Sequence, residues 1–251
     1  MKTSQEWINY FTLNLQQKRI DWSQQPCITD NEVKQVLKSL QAWQLGETSE
    51  GRNLIKASTK HAAKIGDTLY IDAVKLFITE EQKHGNNLGR YLDAIGQPRI
   101  KKNWGDTLFR KVRYLNASME LWTLAVITVE SAAQIFYQSL KDATNCVLLK
   151  EICTDILIDE APHIKFQQER LAIIFRAKKP AGRAVSFYCY KYFYLATSLV
   201  VWMGHKKLFK AGGNDSKKYF RKMKIKFEKT IGRLKYEINV NNIQPSYQTT
   251  I

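Results

Sequence analysis

The chain of 251 residues has little of several residues that define other classes of protein. Its 12 glycines and 5 prolines are too few for a collagen-like or low-complexity chain, and its 44% of hydrophobic residues exclude a mostly disordered one. Residues 1–19 lack the apolar segment of a signal peptide, so we expect a reduced, cytoplasmic protein. Four cysteines are too few and too scattered for a disulfide scaffold, and none forms a Cys-x-x-Cys pair, which argues against a cysteine zinc site: Cys27, Cys146, Cys153 and Cys189.

Acidic residues are scarce in only one part of the chain. Residues 176–251 hold 17 Lys and Arg against three acidic residues, and so carry +14 of the formal net charge of +16. Residues 1–175 hold 22 basic and 20 acidic residues and are nearly neutral. The uneven charge predicts an anionic partner for the C-terminal part, with a merely solvated basic helix as the alternative.

Hydrophobic residues recur with the period of a helix along most of the chain, and no long stretch alternates as a strand does. We therefore predict an all-α fold in which four long helices form two antiparallel hairpins, joined by a connection at 98–115. The four helices are predicted at about 30–64, with a kink near Gly46, and at 68–95, 116–141 and 145–177.

Further helices flank these four. A short N-terminal helix at about 4–18 leads into a linker interrupted by Pro26. An aromatic helix at 184–205 and a basic helix at about 215–236 follow the hairpins, and a loose tail ends the chain. Lys191 in the middle of the aromatic helix argues against a membrane span. The predicted division is 1–29, 30–177 and 178–251.

Two of the predicted helices carry the same pair of chemical groups. Each has a Glu-x-x-His unit with a second acid directly before the glutamate. Residues three apart lie on one face of a helix, so a carboxylate and an imidazole can reach one point. The rest of each face is largely apolar, and buried acids are costly unless they are paired or bound to a cation. The two units are Glu80-Glu81 with His84, and Asp159-Glu160 with His163.

Each unit also has a glutamate at a similar distance upstream. Glu50 precedes Glu81 by 31 residues and Glu130 precedes Glu160 by 30, so the acids come level in hairpins with nearly equal arms. Two packed hairpins would then place four glutamates and two histidines around one point. This donor set suits two first-row transition ions, which we expect to be iron, with manganese as the alternative.

The pattern over about residues 45–170 resembles the ferritin-like di-iron carboxylate proteins. The stretches TEEQKHGNNLGRYLDAIG and IDEAPHIKFQ are similar to helices of the soluble acyl-carrier-protein desaturases, and rubrerythrin-like proteins share the pattern. The resemblance implies a ferritin-like four-helix bundle in which Glu81 and Glu160 bridge the ions, while Glu80 and Asp159 steady ligand imidazoles. The implied metal ligands are Glu50, Glu81, His84, Glu130, Glu160 and His163.

Three features depart from that family's pattern. Glu47, one turn before Glu50, is the alternative ligand from the first long helix. Ala133 stands where the oxygenase and desaturase branches often have a threonine near the dioxygen site. Pro162 directly precedes His163 and either turns it toward the metal or marks a local irregularity.

Two further residues, which lie on the same helix faces as candidate ligands, are interpreted as structural. Tyr137 lies seven residues after Glu130 on the same helix face, and we expect a core tyrosine there rather than a redox-active one. His61 lies on the same predicted helix face as Glu50, and we expect it to be a hydrogen-bonded residue of the bundle rather than a ligand.

The resemblance implies an oxidase or oxygenase that uses dioxygen to oxidise a small organic or carrier-bound substrate. Electrons would come from an external donor, since the chain has no cysteine cluster for a rubredoxin-like centre of its own. Two alternatives remain open: a ferroxidase that handles iron without an organic substrate, and a ferritin-like binding protein without turnover.

The basic C-terminal helix interleaves lysines with aromatic and aliphatic residues. Such a helix is typical of contacts with an acidic protein or an anionic membrane surface. Nucleic acid is the least favoured partner because the helix has no base-reading motif. A homodimer is a further expectation.

Overall fold

The computed structural model describes residues 1–115 and 118–238, and helices dominate these ranges, with no strand among them. The predicted all-α fold is confirmed, together with its N-terminal helix and its two additional C-terminal helices. The predicted loose tail at 239–251 lies outside the described residues. The helices are α1 (Ser4–Leu15), α2 (Asp30–Glu47), α3 (Arg52–Ile65), α4 (Leu69–Ala94), α5 (Trp104–Leu115), α6 (Met119–Asp142), α7 (Val147–Arg176), α8 (Pro180–Ala211), α9 (Ser216–Lys229) and α10 (Leu234–Ile238), with a 3₁₀ turn at Ile231–Arg233.

Four helices, α2, α4, α6 and α7, form the central bundle. α6 packs along α7, α2 packs against α4, and α4 also contacts α7. The remaining helices cover this bundle: α1 and α3 lie against α4, while α8 covers α6 and α2, and α9 packs beside α8 against α6. A large apolar core joins side chains of the four bundle helices with those of α8 and α9. The C-terminal helices therefore share the core of the bundle.

The first long helix is broken, in contrast to the single helix predicted for 30–64. α2 ends at Glu47, and α3 begins after Gly51, whose φ of 65° lies in the left-handed region. A side chain on Gly51 would be strained there, and its Cβ would lie 2.5 Å from Cδ1 of Ile78. The segment 48–51 therefore separates two helices that sequence periodicity joins.

Both the connection after α4 and the segment around the proline of α7 contain helical structure. The connection predicted at 98–115 contains the amphipathic helix α5. α7 continues through Pro162 without a break, although the proline supplies no backbone N–H. None of the described helices combines the length and the apolar character that a membrane crossing needs.

Candidate metal centre

Carboxylates and imidazoles from different bundle helices converge inside the protein. One ligand atom each of Glu47 on α2, His84 on α4 and Glu160 on α7 lie within 4.8 Å of one another, and all three side chains are buried. His163 adds a ring nitrogen, since its Nδ1 lies 2.8 Å from Oε1 of Glu81 and 3.9 Å from Oε2 of Glu160. The two Glu-x-x-His units therefore face each other across α4 and α7.

Glu130 brings a fourth carboxylate to the same place from α6. Its side chain is buried and interacts with that of Glu160. α6 therefore contributes to the cluster, so that α2, α4, α6 and α7 each supply at least one acid.

The acid that precedes each glutamate holds the histidine of the other unit. Oε2 of Glu80 lies 2.7 Å from Nε2 of His163, and Oδ2 of Asp159 lies 3.0 Å from Nε2 of His84. All four side chains are fully buried. Because each ring is held through Nε2, its Nδ1 is left to face the cluster.

Asn14 on α1 ties these two acids together. Its Nδ2 donates a hydrogen bond to Oε1 of Glu80 at 2.7 Å and another to Oδ1 of Asp159 at 2.8 Å. Arg19 and Lys83 also contact Asp159, at 2.9 Å and 3.1 Å. Burial raises the pKa of Asp159. Its hydrogen bond with His84 and the neighbouring charges lower the pKa by more than burial raises it, so the net shift is downward. Asp159 is thus held as a carboxylate.

The cluster concentrates negative charge away from water. Burial, followed by the neighbouring Glu130, raises the pKa of both Glu81 and Glu160 well above the ordinary value. Burial also raises the pKa of Glu130 itself. Burial lowers the pKa of His163, but Glu81 and Glu80 raise it by more, so that it lies well above its usual value. Such a group of acids needs protons or cations to balance it.

Several buried polar atoms of the cluster have no hydrogen-bond partner within residues 1–115 and 118–238. They are both carboxylate oxygens of Glu160 and Nδ1 of His84, whereas Oε1 of Glu81 and Nδ1 of His163 lie 2.8 Å from each other. Buried polar atoms in proteins are nearly always satisfied, so a group of unsatisfied ones facing one point indicates a ligand. Carboxylate oxygens and imidazole nitrogens are donors that iron and manganese accept. The residues present therefore fit a pair of such ions.

The structure does not bring Glu50 into this cluster. Its side chain is 65% exposed and pairs with Arg52 at 2.5 Å. Glu47, the alternative from the sequence, is buried instead, and its Oε1 accepts a hydrogen bond from the Tyr137 hydroxyl at 2.7 Å. The comparison of hairpin arms favoured Glu50 because it assumed one continuous helix through 48–51. With the helix broken at this segment, Glu47 rather than Glu50 lies at the cluster.

Tyr137 and His61 lie in different surroundings. Tyr137 is a fully buried core residue that also orients a candidate ligand, and burial together with Glu47 raises its pKa well above the ordinary value. His61 lies beside Tyr70, with 6.1 Å between the ring centroids. It does not belong to the group of candidate ligands formed by Glu47, His84 and Glu160. Burial, followed by Arg170, lowers the pKa of His61 to about 4.

Gly85 allows α2 to approach α4 closely beside the cluster. A Cβ at this position would lie 3.0 Å from the backbone carbonyl carbon of Glu47 and 2.9 Å from Cγ2 of Thr48. Gly85 directly follows His84. Because Gly85 has no side chain, the backbone of Glu47, the candidate ligand on α2, can lie close to α4 at this point. Sequence reasoning missed both Asn14 and Gly85, since neither belongs to the Glu-x-x-His pattern.

An apolar cavity of about 210 Å³ adjoins the cluster. Glu47, Glu81 and Glu130 form part of its polar wall. Gly46 also borders the cavity, and a Cβ there would meet no atom within 4 Å. The cavity can therefore hold an organic molecule next to the candidate ligands. Its apolar wall includes Trp43, Leu54, Phe77, Ile78, Val126 and Val129.

Four long helices with carboxylates and histidines turned to their centre form a ferritin-like fold. The chain is similar to solved structures of an R2-like ligand-binding oxidase. A mutant of it with an aerobically reconstituted Mn/Fe cofactor gives a TM-score of 0.64 at 16% identity, covering 90% of this chain and 92% of that chain. A mutant with an anaerobically reconstituted Mn/Fe cofactor gives 0.63 at 15% identity, covering 91% and 94%.

These likenesses confirm the predicted ferritin-like fold. No protein-family model matches the chain. A comparison with curated proteins also finds no match.

Proposed function

We propose that this protein is a dimetal oxidase that binds two iron ions, or manganese with iron, and uses dioxygen to oxidise an organic molecule. The observation that carries the proposal is the group of buried, unpartnered ligand atoms contributed by different helices to one point. The Mn/Fe cofactor of the R2-like ligand-binding oxidase supports the choice of metals.

The proposed ligands replace Glu50 with Glu47 and otherwise keep the set expected from the sequence. Glu81 and Glu160, one from each of the two facing units, would both help to hold the metal pair. When bound, the ions would transfer electrons to dioxygen, and an external donor would restore those electrons. The full set of proposed ligands is Glu47, Glu81, His84, Glu130, Glu160 and His163.

The surrounding residues prepare this site without taking part in electron transfer. Glu80 and Asp159 fix the two imidazoles, and Asn14 holds both acids. The ring of Phe77 packs edge-on against that of His163, with 4.8 Å between the ring centroids. The ring centroid of Phe11 lies 6.1 Å from that of His163. These rings exclude water from that side of the cluster, which strengthens electrostatic interactions within it.

The cavity favours an organic substrate over iron storage. Iron storage needs a route for hydrated ferrous ions, whereas this cavity is lined mainly by aliphatic and aromatic side chains. Apolar walls with a few polar groups at one end are typical of sites for small organic molecules. The substrate would lie between Gly46 and the carboxylates.

An oxygen pulse on the iron-loaded protein tests the proposal. The protein is loaded with ferrous iron without oxygen, and oxygen consumption and ferric iron are then measured for each chain. We expect oxidation to saturate at about two iron ions per chain, the capacity of a dinuclear site. Continued oxidation of many ferrous ions with a retained mineral would show iron storage. Failure to bind iron or manganese would favour the binding protein without turnover.

A further inference from the structure

Six large apolar side chains stand exposed in a line along α8. Their spacing of three or four residues places them on one face of the helix. Over 18 residues the line is about 27 Å long, at 1.5 Å per residue. We call this face the α8 stripe, and an exposed apolar surface of such length indicates an interaction site. Its residues are Val185 (65% exposed), Tyr188 (58%), Tyr192 (67%), Leu195 (50%), Leu199 (49%) and Met203 (61%).

Lysines border the α8 stripe on its own helix. Lys206 and Lys210 continue the same face beyond Met203 and are exposed. Lys191 lies at one side of the stripe and is also exposed. The stripe therefore combines apolar contact area with positive charge at its end and edge.

α9 lies alongside α8, on one side of the stripe. Phe227 on α9 contacts Phe187 and Tyr194 on α8, with ring centroids 6.2 Å and 5.3 Å apart. The Tyr219 hydroxyl donates a hydrogen bond to the backbone carbonyl of Ser198 at 3.1 Å. The two helices thus form one layer over α6, with which both are in contact.

The outer side of this layer is basic. The ammonium group of Lys226 contacts the Gln134 side chain, so this side of α9 faces α6. At 100° per residue, the residues on the opposite side of α9 emerge on the outer surface of the layer, next to the α8 stripe. These residues, all exposed, are the basic Lys217, Arg221 and Lys224 together with one acid, Glu228.

We propose that the α8 stripe and the basic outer side of α9 dock on an anionic lipid surface. The apolar side chains would enter the boundary between headgroups and acyl chains, while the lysines and arginine contact lipid phosphates. Tyr188 and Tyr192 suit the headgroup level because each has an apolar ring and a polar hydroxyl. The protein would lie on the membrane without crossing it.

Charge decides between a lipid surface and a second copy of the chain. Pairing two copies through this face would bring together two C-terminal segments of +14 each. Like charges at an interface oppose association, whereas phosphates on a membrane complement them. The face is also the convex side of a helix rather than a groove, which suits a deformable lipid surface.

Vesicle flotation with the full chain tests this proposal. Phosphatidylcholine vesicles with and without phosphatidylglycerol are mixed with the protein at low and high salt. We expect the protein to float with the phosphatidylglycerol vesicles at low salt, to remain behind with phosphatidylcholine alone, and to be released by salt. Absence of flotation with the anionic vesicles would overturn the proposal.

Two matched pairs of variants separate the apolar and the charged contributions. L195S/L199S should reduce flotation by about tenfold or more, while L13S/V147S, which alters equally exposed residues elsewhere, should leave it unchanged. K217Q/R221Q/K224Q should reduce it similarly, whereas K56Q/K60Q/K64Q on α3 removes the same charge and should have a much smaller effect.

Other results would contradict docking by this face. Equal loss in both members of a pair would mean that general hydrophobicity or net charge causes binding. A dimer in light scattering that L195S/L199S converts to a monomer would mean that a second copy covers the α8 stripe. Circular dichroism of each variant confirms that the helices are retained.

Discussion

Glu47 and Glu50 lie within one turn of sequence but have opposite surroundings. Glu47 is buried beside the cluster, and Glu50 is exposed beside Arg52. Glu47→Ala should reduce metal binding below two ions per chain because a ligand carboxylate is lost, whereas Glu50→Ala should retain both ions. Elemental analysis after anaerobic loading measures this. Metal loss in Glu50→Ala with none in Glu47→Ala would reverse the assignment.

Asn14 shows how a neutral side chain outside the bundle can affect the metal site. Its amide holds both acids that orient the histidines. Asn14→Ala should lower metal affinity by roughly 10–100-fold, the usual effect of losing such a supporting contact. Competition with a chelator measures the affinity. Asn9→Ala, an exposed change on the same helix, is the control, and equal affinities in the two variants would contradict this role.

Gly46 leaves space in the cavity wall. Glycine inside a helix lowers the stability of the fold by roughly 1 kcal/mol relative to alanine. A Cβ at position 46 would meet no atom within 4 Å, so the packing does not require a glycine there. Gly46→Leu should therefore fill the cavity while metal content stays normal. Calorimetry with 1-octanol as the probe should show binding to the wild type and to the exposed control Gly182→Leu, but none to Gly46→Leu. Binding to Gly46→Leu would place the probe elsewhere.

At the scale of elements, the approach of α2 to α4 depends on Gly85. Gly85→Ala forces its Cβ against the backbone of residues 47 and 48, and should destabilise the fold by about 1–3 kcal/mol and weaken metal binding. Gly89→Ala meets only the flexible end of Arg99, so it should be neutral or slightly stabilising. Urea unfolding and elemental analysis measure both effects. Equal stabilities would mean that the close approach is unimportant.

The elements also show what periodicity can and cannot predict. The spacing of Glu81 with His84 and of Glu160 with His163 is a local property of a helix, so the two units could be placed correctly from sequence. The break at 48–51 depends on Gly51 and on its contact with Ile78, which is distant in sequence. Sequence reasoning therefore joined α2 to α3 and favoured Glu50, whereas Glu47 is the acid from this region that lies at the cluster.

At the scale of the whole molecule, the all-α fold could be predicted because four long amphipathic helices leave few other arrangements. The contribution of Asn14 could not, since α1 lies outside the bundle and its packing on α4 is a tertiary contact. The cavity was equally hidden, because its walls come from several helices. Local chemistry was thus readable from the sequence, whereas the surroundings of the site were not.

The whole molecule also separates the buried cluster from the basic face. The buried cluster lies in the near-neutral first part of the chain, while the basic face belongs to α9 and the end of α8. The two parts share one apolar core through α6, so they form a continuous structure. Under the two proposals, the dimetal centre would lie near a membrane surface without its ligands in contact with lipid.

Anomalous X-ray diffraction from crystals of the iron- and manganese-loaded protein tests the central claim most directly. Data recorded at the absorption edges of the two metals should show two peaks about 3.5–4 Å apart, surrounded by the side chains of Glu47, Glu81, His84, Glu130, Glu160 and His163. Absence of anomalous density between these side chains, or density only at the protein surface, would contradict the dimetal centre and the oxidase proposed from it.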